Sequence, residues 1–228
     1  MANLIVTIDG PAASGKSTAA RLLAQRLKGV FLDTGAMYRA VTWAALQAGK
    51  DLKDESQLLE VLDGSRFEFS IQAGKMTARV NGVDVTEQIR RSDVTANARY
   101  IASASKVRER LVKMQRDFSA GEEKIVTEGR DQGTVAFPEA DVKFYLVAET
   151  SERARRRFAE LRARGEVNVH PEEVQKAIEE RDRSDRSRGI GPLRPAEDAI
   201  TVDTTHLTIE EVVEKLLRYV EGRCSAKD

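Results

Sequence analysis

The chain has 228 residues, with 37 basic side chains set against 37 acidic ones, so its formal net charge is zero. Hydrophobic residues make up 41% and charged residues 32%, the balance of a soluble globular chain long enough to bury one sizeable core. Zero net charge argues against broad adhesion to nucleic acid or membrane, and one cysteine, Cys224, excludes an intrachain disulfide.

In chain order, Leu4–Ile8 is a β-branched run of strand length that ends at the turn signal Asp9-Gly10-Pro11. Helical spacing follows through Ala20, Leu23, Ala24 and Leu27. Val30–Leu32 is a second strand, with a helix expected over about Ala36–Ala48. Two β-then-α units within the first fifty residues point to a parallel sheet covered by helices. The next stretch alternates instead. Phe67, Phe69 and Ile71 face one way, Ala73-Gly74 turns the chain, and Met76, Ala78 and Val80 alternate again before the hairpin signal Asn81-Gly82. This predicts a three-stranded antiparallel meander over about Arg66–Val85, inserted in the α/β body.

Helical spacing returns over about Val94–Phe118, expected as one helix. Lys124–Thr127 and Val142–Val147 suit buried parallel strands, and the polar stretch Glu128–Thr134 between them is expected outside the core. Ser151–Arg164 and Pro171–Arg188 read as helices, the second with Pro171 at its first position. Ala199–Val202 is a last strand, and Thr208-Ile209-Glu210-Glu211 forms a capping box for a final helix. His170 and His206 stand alone and suggest no metal site. No apolar run approaches the ~20 residues that span a bilayer, and Met1-Ala2-Asn3 lacks a charged leader, so a cytoplasmic location is expected. A monomer is expected because no long apolar stripe remains once the core is assigned.

Gly10-Pro11-Ala12-Ala13-Ser14-Gly15-Lys16-Ser17 fits G-x-x-x-x-G-K-[ST], between a strand and a helix. Glycines allow the backbone to wrap phosphate oxygens, and amides at a helix start supply donors and the positive dipole end. Lys16 is placed for the β/γ-phosphates and the Ser17 hydroxyl for Mg²⁺, so a nucleoside triphosphate is the expected ligand, in a cradle that GTPases, ATPases, kinases and inert nucleotide-binding modules share. Other polar positions are weaker alone. Thr34 suits an N-cap, and Arg39, early in its helix, gains little from the dipole unless an anion sits there. Arg130 and Asp131 follow a strand end, where ligands bind in open parallel sheets, yet an exposed ion pair would also explain them. Arg181, Asp185 and Arg188 share one helix face by i, i+4, i+7 spacing, as would an ordinary charged surface. Arg153 and Arg157 share a face in the same way. No basic stripe interleaved with aromatics favours a nucleic-acid partner. Several arginines beside a triphosphate site, with no evident base, suit transfer to a phosphate acceptor. Such an acceptor arrives mostly ionised, its second pKa being about 6.

The segments Ile8–Thr18, Asp33-Thr34-Gly35-Ala36-Met37-Tyr38-Arg39, Val107-Arg108-Glu109, Gly129-Arg130-Asp131-Gln132-Gly133-Thr134-Val135 and Arg181–Arg188 together resemble bacterial cytidylate kinases, which transfer phosphate from ATP to CMP or dCMP. The resemblance runs nearly end to end. It implies an α/β, three-layer P-loop kinase fold with a central parallel sheet, a small antiparallel three-stranded insert and a helical lid. The implied core is 1–35, 97–150 and 189–228, with a monophosphate-binding region at 36–96 and a lid with flanking helices at 151–188. It further implies that Gly10, Pro11, Ala12, Ala13, Ser14, Gly15, Lys16, Ser17 and Thr18 hold ATP. Arg39 and Arg130 would grip the CMP phosphate, with Thr34 and Tyr38 shaping that pocket. Arg108 and Asp131 would read the cytosine edge, Arg181 and Asp185 would address the ribose, and Arg188 would reach the transferring phosphates. Lys16, Arg130 and Arg188 are thus the expected catalytic set, with Mg²⁺ on Ser17. Kinases for UMP, AMP or another small molecule on this scaffold, or a nucleotide-sensing module, are the alternatives. Arg99 departs from the family pattern, where relatives usually carry serine, and is not assigned to the site.

Overall fold

The computed structural model describes residues 4–72, 74–163 and 165–225. Met1-Ala2-Asn3, Ala73 of the expected turn, Arg164 at the end of the arginine-rich helix and residues 226–228 of the tail lie outside the described residues.

Chain order runs β1 (Leu4–Asp9), α1 (Lys16–Arg26), β2 (Val30–Asp33), α2 (Thr34–Gln47), α3 (Glu55–Gly64), β3 (Phe67–Gln72), β4 (Lys75–Val80) and β5 (Val83–Asp84). It continues with α4 (Ser92–Ser103), α5 (Ser105–Ser119), β6 (Lys124–Gly129), β7 (Val142–Val147), α6 (Thr150–Ala163), α7 (Pro171–Arg186), β8 (Ile200–Asp203) and α8 (Ile209–Ser225). A parallel five-stranded sheet has the order β2-β6-β1-β7-β8, and β3-β4-β5 form the separate antiparallel sheet. The expected α/β class and the three-stranded insert are therefore both present.

By compactness the chain forms two units, one of Gly29–Ile125 and one of Leu4–Lys28 with Val126–Asp228. In the second unit, Ile8 of β1 lies opposite Phe144 of β7, and Leu146 of β7 lies opposite Val202 of β8. These apolar residues are buried, as parallel strands covered on both faces require. Helices α1 and α8 pack together, α8 through Val212, Val213, Leu216, Leu217 and Val220. Its capping box forms as expected: the Thr208 amide donates to the Glu211 carboxylate at 2.8 Å and the Glu211 amide to the Thr208 hydroxyl at 3.2 Å. In the first unit, the meander buries Met76, Ala78 and Val80 and packs by β4 on α2.

Several expectations need correction. The single helix Val94–Phe118 is two, broken at Ala104, which adopts φ −78° and ψ 110°. No glycine or proline marks the break. The Glu55 carboxylate accepts from the Lys106 amide at 2.8 Å, so a distant side chain serves the new helix start. Helix α3 was not anticipated; Asp54 caps it by accepting from the Ser56 and Gln57 amides, and Leu58 and Val61 are its buried face. Helix α7 stops at Arg186, leaving Arg188 beyond it. Finally, the polar stretch after β6 is not outside the core: Glu128, Asp131 and Gln132 are buried, and Gln132–Ala136 forms one π-helical turn.

Candidate active site

Strand β1 delivers its last residue, Asp9, buried at the start of the glycine-rich loop. Gly10 follows with φ +150°, and a Cβ there would lie 2.2 Å from the Leu146 carbonyl oxygen, so only glycine fits. The loop closes at Gly15, left-handed at φ 87°, which is the N-cap of α1. Lys16 turns back into the loop: its Nζ donates to the Pro11 carbonyl at 2.5 Å and to the Ser14 hydroxyl at 3.3 Å. Burial, with the nearby Arg130 charge, lowers its pKa to about 7. The Ser17 hydroxyl donates to the Glu128 carboxylate at 2.9 Å.

Asp9 also builds the segment after β6. Its carboxylate accepts from the Gln132 amide at 2.9 Å and the Gly133 amide at 2.8 Å, which explains how a polar stretch comes to be buried. Burial raises the Asp9 pKa to about 6, with the Asp131 charge adding and the two amide bonds opposing. On this support, Arg130 reaches Asp185, Nε to Oδ2 at 2.7 Å. Asp185 pairs also with Arg188 and is almost fully buried. Burial pushes the Asp185 pKa up, but the Arg130 and Arg188 charges outweigh it and leave the group low. Arg181 lies near the same cluster, where the Arg130 charge lowers its pKa to about 10. Two guanidinium groups paired on one carboxylate, with the Arg181 charge felt beside them, gather cationic donors suited to an anion.

The unit Gly29–Ile125 carries the other predicted residues. The cap of α2 is Asp33, not Thr34: its carboxylate accepts from the Ala36 amide at 2.9 Å, and Thr34 is the first residue of the helix, buried. Asp33 also pairs with Arg39 at 3.2 Å, offsetting the cost of a cation at a helix start, while Arg90 stands at 3.8 Å. A Cβ on Gly35 would meet the Arg39 guanidinium at 2.8 Å, so a larger residue there would displace the flexible end of Arg39. The buried Nε of Arg39 has no hydrogen-bond partner among the described residues. Arg108, buried in α5, donates to the Tyr38 hydroxyl and the Ala102 carbonyl, both at 3.3 Å, with its guanidinium carbon 5.9 Å from the Tyr38 ring centre. The ring and the two hydrogen bonds hold this guanidinium in place.

A family model described as cytidylate kinase matches residues 6–222. A cytidylate kinase of Anoxybacillus flavithermus is 45% identical over 218 residues, covering 96% of each chain. One of Limosilactobacillus reuteri is 46% identical over 220 residues, covering 96% of this chain and 95% of the relative. The chain belongs to the cytidylate kinase family. Among solved structures, a protein of Thermus thermophilus called TT1252 superposes with TM-score 0.52 at 16% identity, covering 97% of this chain and 98% of that one, which supports the fold alone.

In this chain, the second unit assembles the loop Gly10–Thr18 together with Arg130, Asp185 and Arg188, while the first brings Tyr38 and Arg108 together and sets Arg39 on Asp33. Arg99 is exposed and stacks on Tyr100, its guanidinium carbon 4.9 Å from the ring centre. Sequence reasoning missed three sets of contacts, those of Asp9 with the Gln132 and Gly133 amides, of Ser17 with Glu128 and of Arg153 with Asp182. Asp9 was read only as part of a turn, although an acid closing a buried apolar strand signals a carboxylate with backbone donors to serve. The Ser17–Glu128 contact and the Arg153–Asp182 pair join residues far apart in sequence, and no local spacing announces them.

Proposed function

We propose that this chain transfers the γ-phosphate of ATP to CMP or dCMP, giving ADP and CDP or dCDP. The observation that carries it is the arginine cluster on Asp185, in the same unit as a P-loop whose lysine is already turned inward. Phosphoryl transfer needs alignment and charge compensation more than covalent help. An ionised phosphate acceptor brings its own nucleophile.

In this account Gly10–Thr18 hold ATP, with Lys16 on its β/γ-phosphates. Arg39 and Arg130 hold the CMP phosphate, Thr34 and Tyr38 shape its pocket, and Arg181 and Asp185 serve the ribose. Arg188, kept close by Asp185, meets the charge of the transferring group. Arg108 donates to the acceptor edge of cytosine and Asp131 accepts from its amino group. The three-stranded insert belongs to a monophosphate-binding region, 36–96, and α6 and α7 with their connection to a lid and its flanking helices, 151–188. The Ser17 hydroxyl, beside the Glu128 carboxylate, offers the hard oxygen donors that Mg²⁺ accepts alongside phosphate oxygens. Bound there, Mg²⁺ would neutralise phosphate charge. No helix among the described residues is long and apolar enough to cross a membrane. We expect a cytoplasmic monomer, checked by its elution volume in size-exclusion chromatography.

The test is an acceptor screen with ATP and magnesium, detecting ADP. CMP and dCMP should lead, with UMP lower by tenfold to a hundredfold, because uracil presents an acceptor where Asp131 needs a donor and such a mismatch costs about 1–3 kcal/mol. Best turnover of UMP or AMP would overturn the cytosine assignment.

A further inference from the structure

The P-loop is tied to helices α6 and α7 at a single residue, Ala12. The Ala12 amide donates to Asp182 Oδ1 at 3.0 Å, and the Ala12 carbonyl accepts from Arg153 Nη1 at 3.0 Å. The same Arg153 nitrogen donates to Asp182 Oδ2 at 2.5 Å, closing the ring. Arg153 is itself held, its Nε on the Ala148 carbonyl at 3.0 Å and its Nη2 on the Thr150 hydroxyl at 2.9 Å. Both charged residues are buried, Arg153 4% and Asp182 2% exposed. The Ala12 amide is thus committed to Asp182, and its carbonyl to Arg153.

The next residue, Ala13, adopts φ 57°, a left-handed conformation unfavourable for a side-chain-bearing residue. Ala13 packs against the small apolar core that Ala154, Val174 and Ile178 form between α6 and α7. The loop is therefore gripped twice, by a polar contact at Ala12 and an apolar one at Ala13. One helical turn beyond Asp182 on the same helix, Asp185 holds Arg130 and Arg188. Helix α7 carries two buried carboxylates with separate tasks, one on the loop and one on the arginine cluster.

We propose that Arg153 and Asp182 form a clamp on the backbone of Ala12, holding the peptide groups on either side of it, that fixes the P-loop in its phosphate-binding shape. They are positioning residues for the ATP half of the reaction, acting through the backbone of Ala12 and Ala13. Removing one partner should loosen the loop and weaken ATP use while sparing CMP. The inference rests on the P-loop being the ATP site of the proposed kinase.

Two conservative variants test it, Asp182→Asn, which keeps an acceptor for the Ala12 amide but drops the charge, and Arg153→Lys, which keeps the charge but not the fork. Hydrogen exchange at the Ala12 amide should quicken at least about tenfold in both, with amides of β1 unchanged. KM for ATP, and the dissociation constant of a non-hydrolysable ATP analogue, should rise about tenfold, and KM for CMP should stay within about twofold. Unchanged Ala12 exchange, or an equal rise in both KM values, would overturn the clamp. So would lowered thermal stability with unchanged analogue affinity in the folded protein, since a merely structural pair would behave that way. If one variant does not fold, the other carries the same readouts. Should the unaltered protein form no CDP while analogue binding and Ala12 exchange respond as described, the kinase assignment fails and the clamp stands.

Discussion

A buried lysine among guanidinium groups holds its proton weakly, and Lys16, with a pKa near 7, does so in the free protein. A triphosphate reverses that balance by placing negative charge beside the ammonium. At pH 8 the free lysine is mostly neutral, so ATP binding should take up a proton, seen as a buffer-dependent enthalpy in titration calorimetry. Lys16→Arg, which stays charged, should lose this uptake; equal uptake in both proteins would assign the proton elsewhere. Arg130 is anchored by Asp185, and the Lys16 ammonium rests on Pro11 and Ser14. Arg130→Ala should therefore raise KM for CMP by about tenfold or more and leave ATP affinity within a fewfold. A change confined to ATP affinity would reverse the division between donor and acceptor residues. Asp131→Asn should erode the preference for CMP over UMP, and unaltered discrimination would remove Asp131 from base reading.

At the scale of elements, two substitutions separate loop geometry from simple stability. Gly10→Ala forces a Cβ onto the Leu146 carbonyl at the entry to the P-loop, a clash with backbone that cannot rotate away. It should cost about 1–3 kcal/mol or more and weaken ATP binding as well. Thr208→Ala removes only the cap of α8, about 1 kcal/mol, or about 2–4 °C in melting temperature for a chain of this size. KM values should not move. Comparable kinetics in both variants would mean that the close packing at Gly10 does not shape the site. The contrast also shows what sequence can reveal. The P-loop and the capping box are local, set by a few residue types at fixed spacing, and both form where expected. The meander was legible because Phe67, Phe69, Ile71, Met76, Ala78 and Val80 alternate. The break at Ala104 was not, because the new helix start is served by Glu55, fifty-one residues before the Lys106 amide it accepts from. Nor was the burial of Glu128–Gln132, since a polar run looks solvated until Asp9 supplies an acceptor for its amides.

For the whole molecule, the chemistry is assembled from contacts of long sequence range laid over short motifs. Single arginines such as Arg39, Arg130 and Arg188 were ambiguous in sequence; the structure gives each a carboxylate that holds it, Asp33 for the first and Asp185 for the other two. If these arginines hold phosphate as proposed, their guanidinium groups are already oriented when it arrives, and little reorganisation is left to the reaction step. The proposed reaction is direct transfer between two bound nucleotides. The most direct measurement follows the label from ATP carrying ³²P in its γ-phosphate, with CMP and magnesium present. The account predicts that the label appears as CDP in step with ADP, with no labelled protein on the way. Label released as inorganic phosphate, or first attached to the chain, would contradict it.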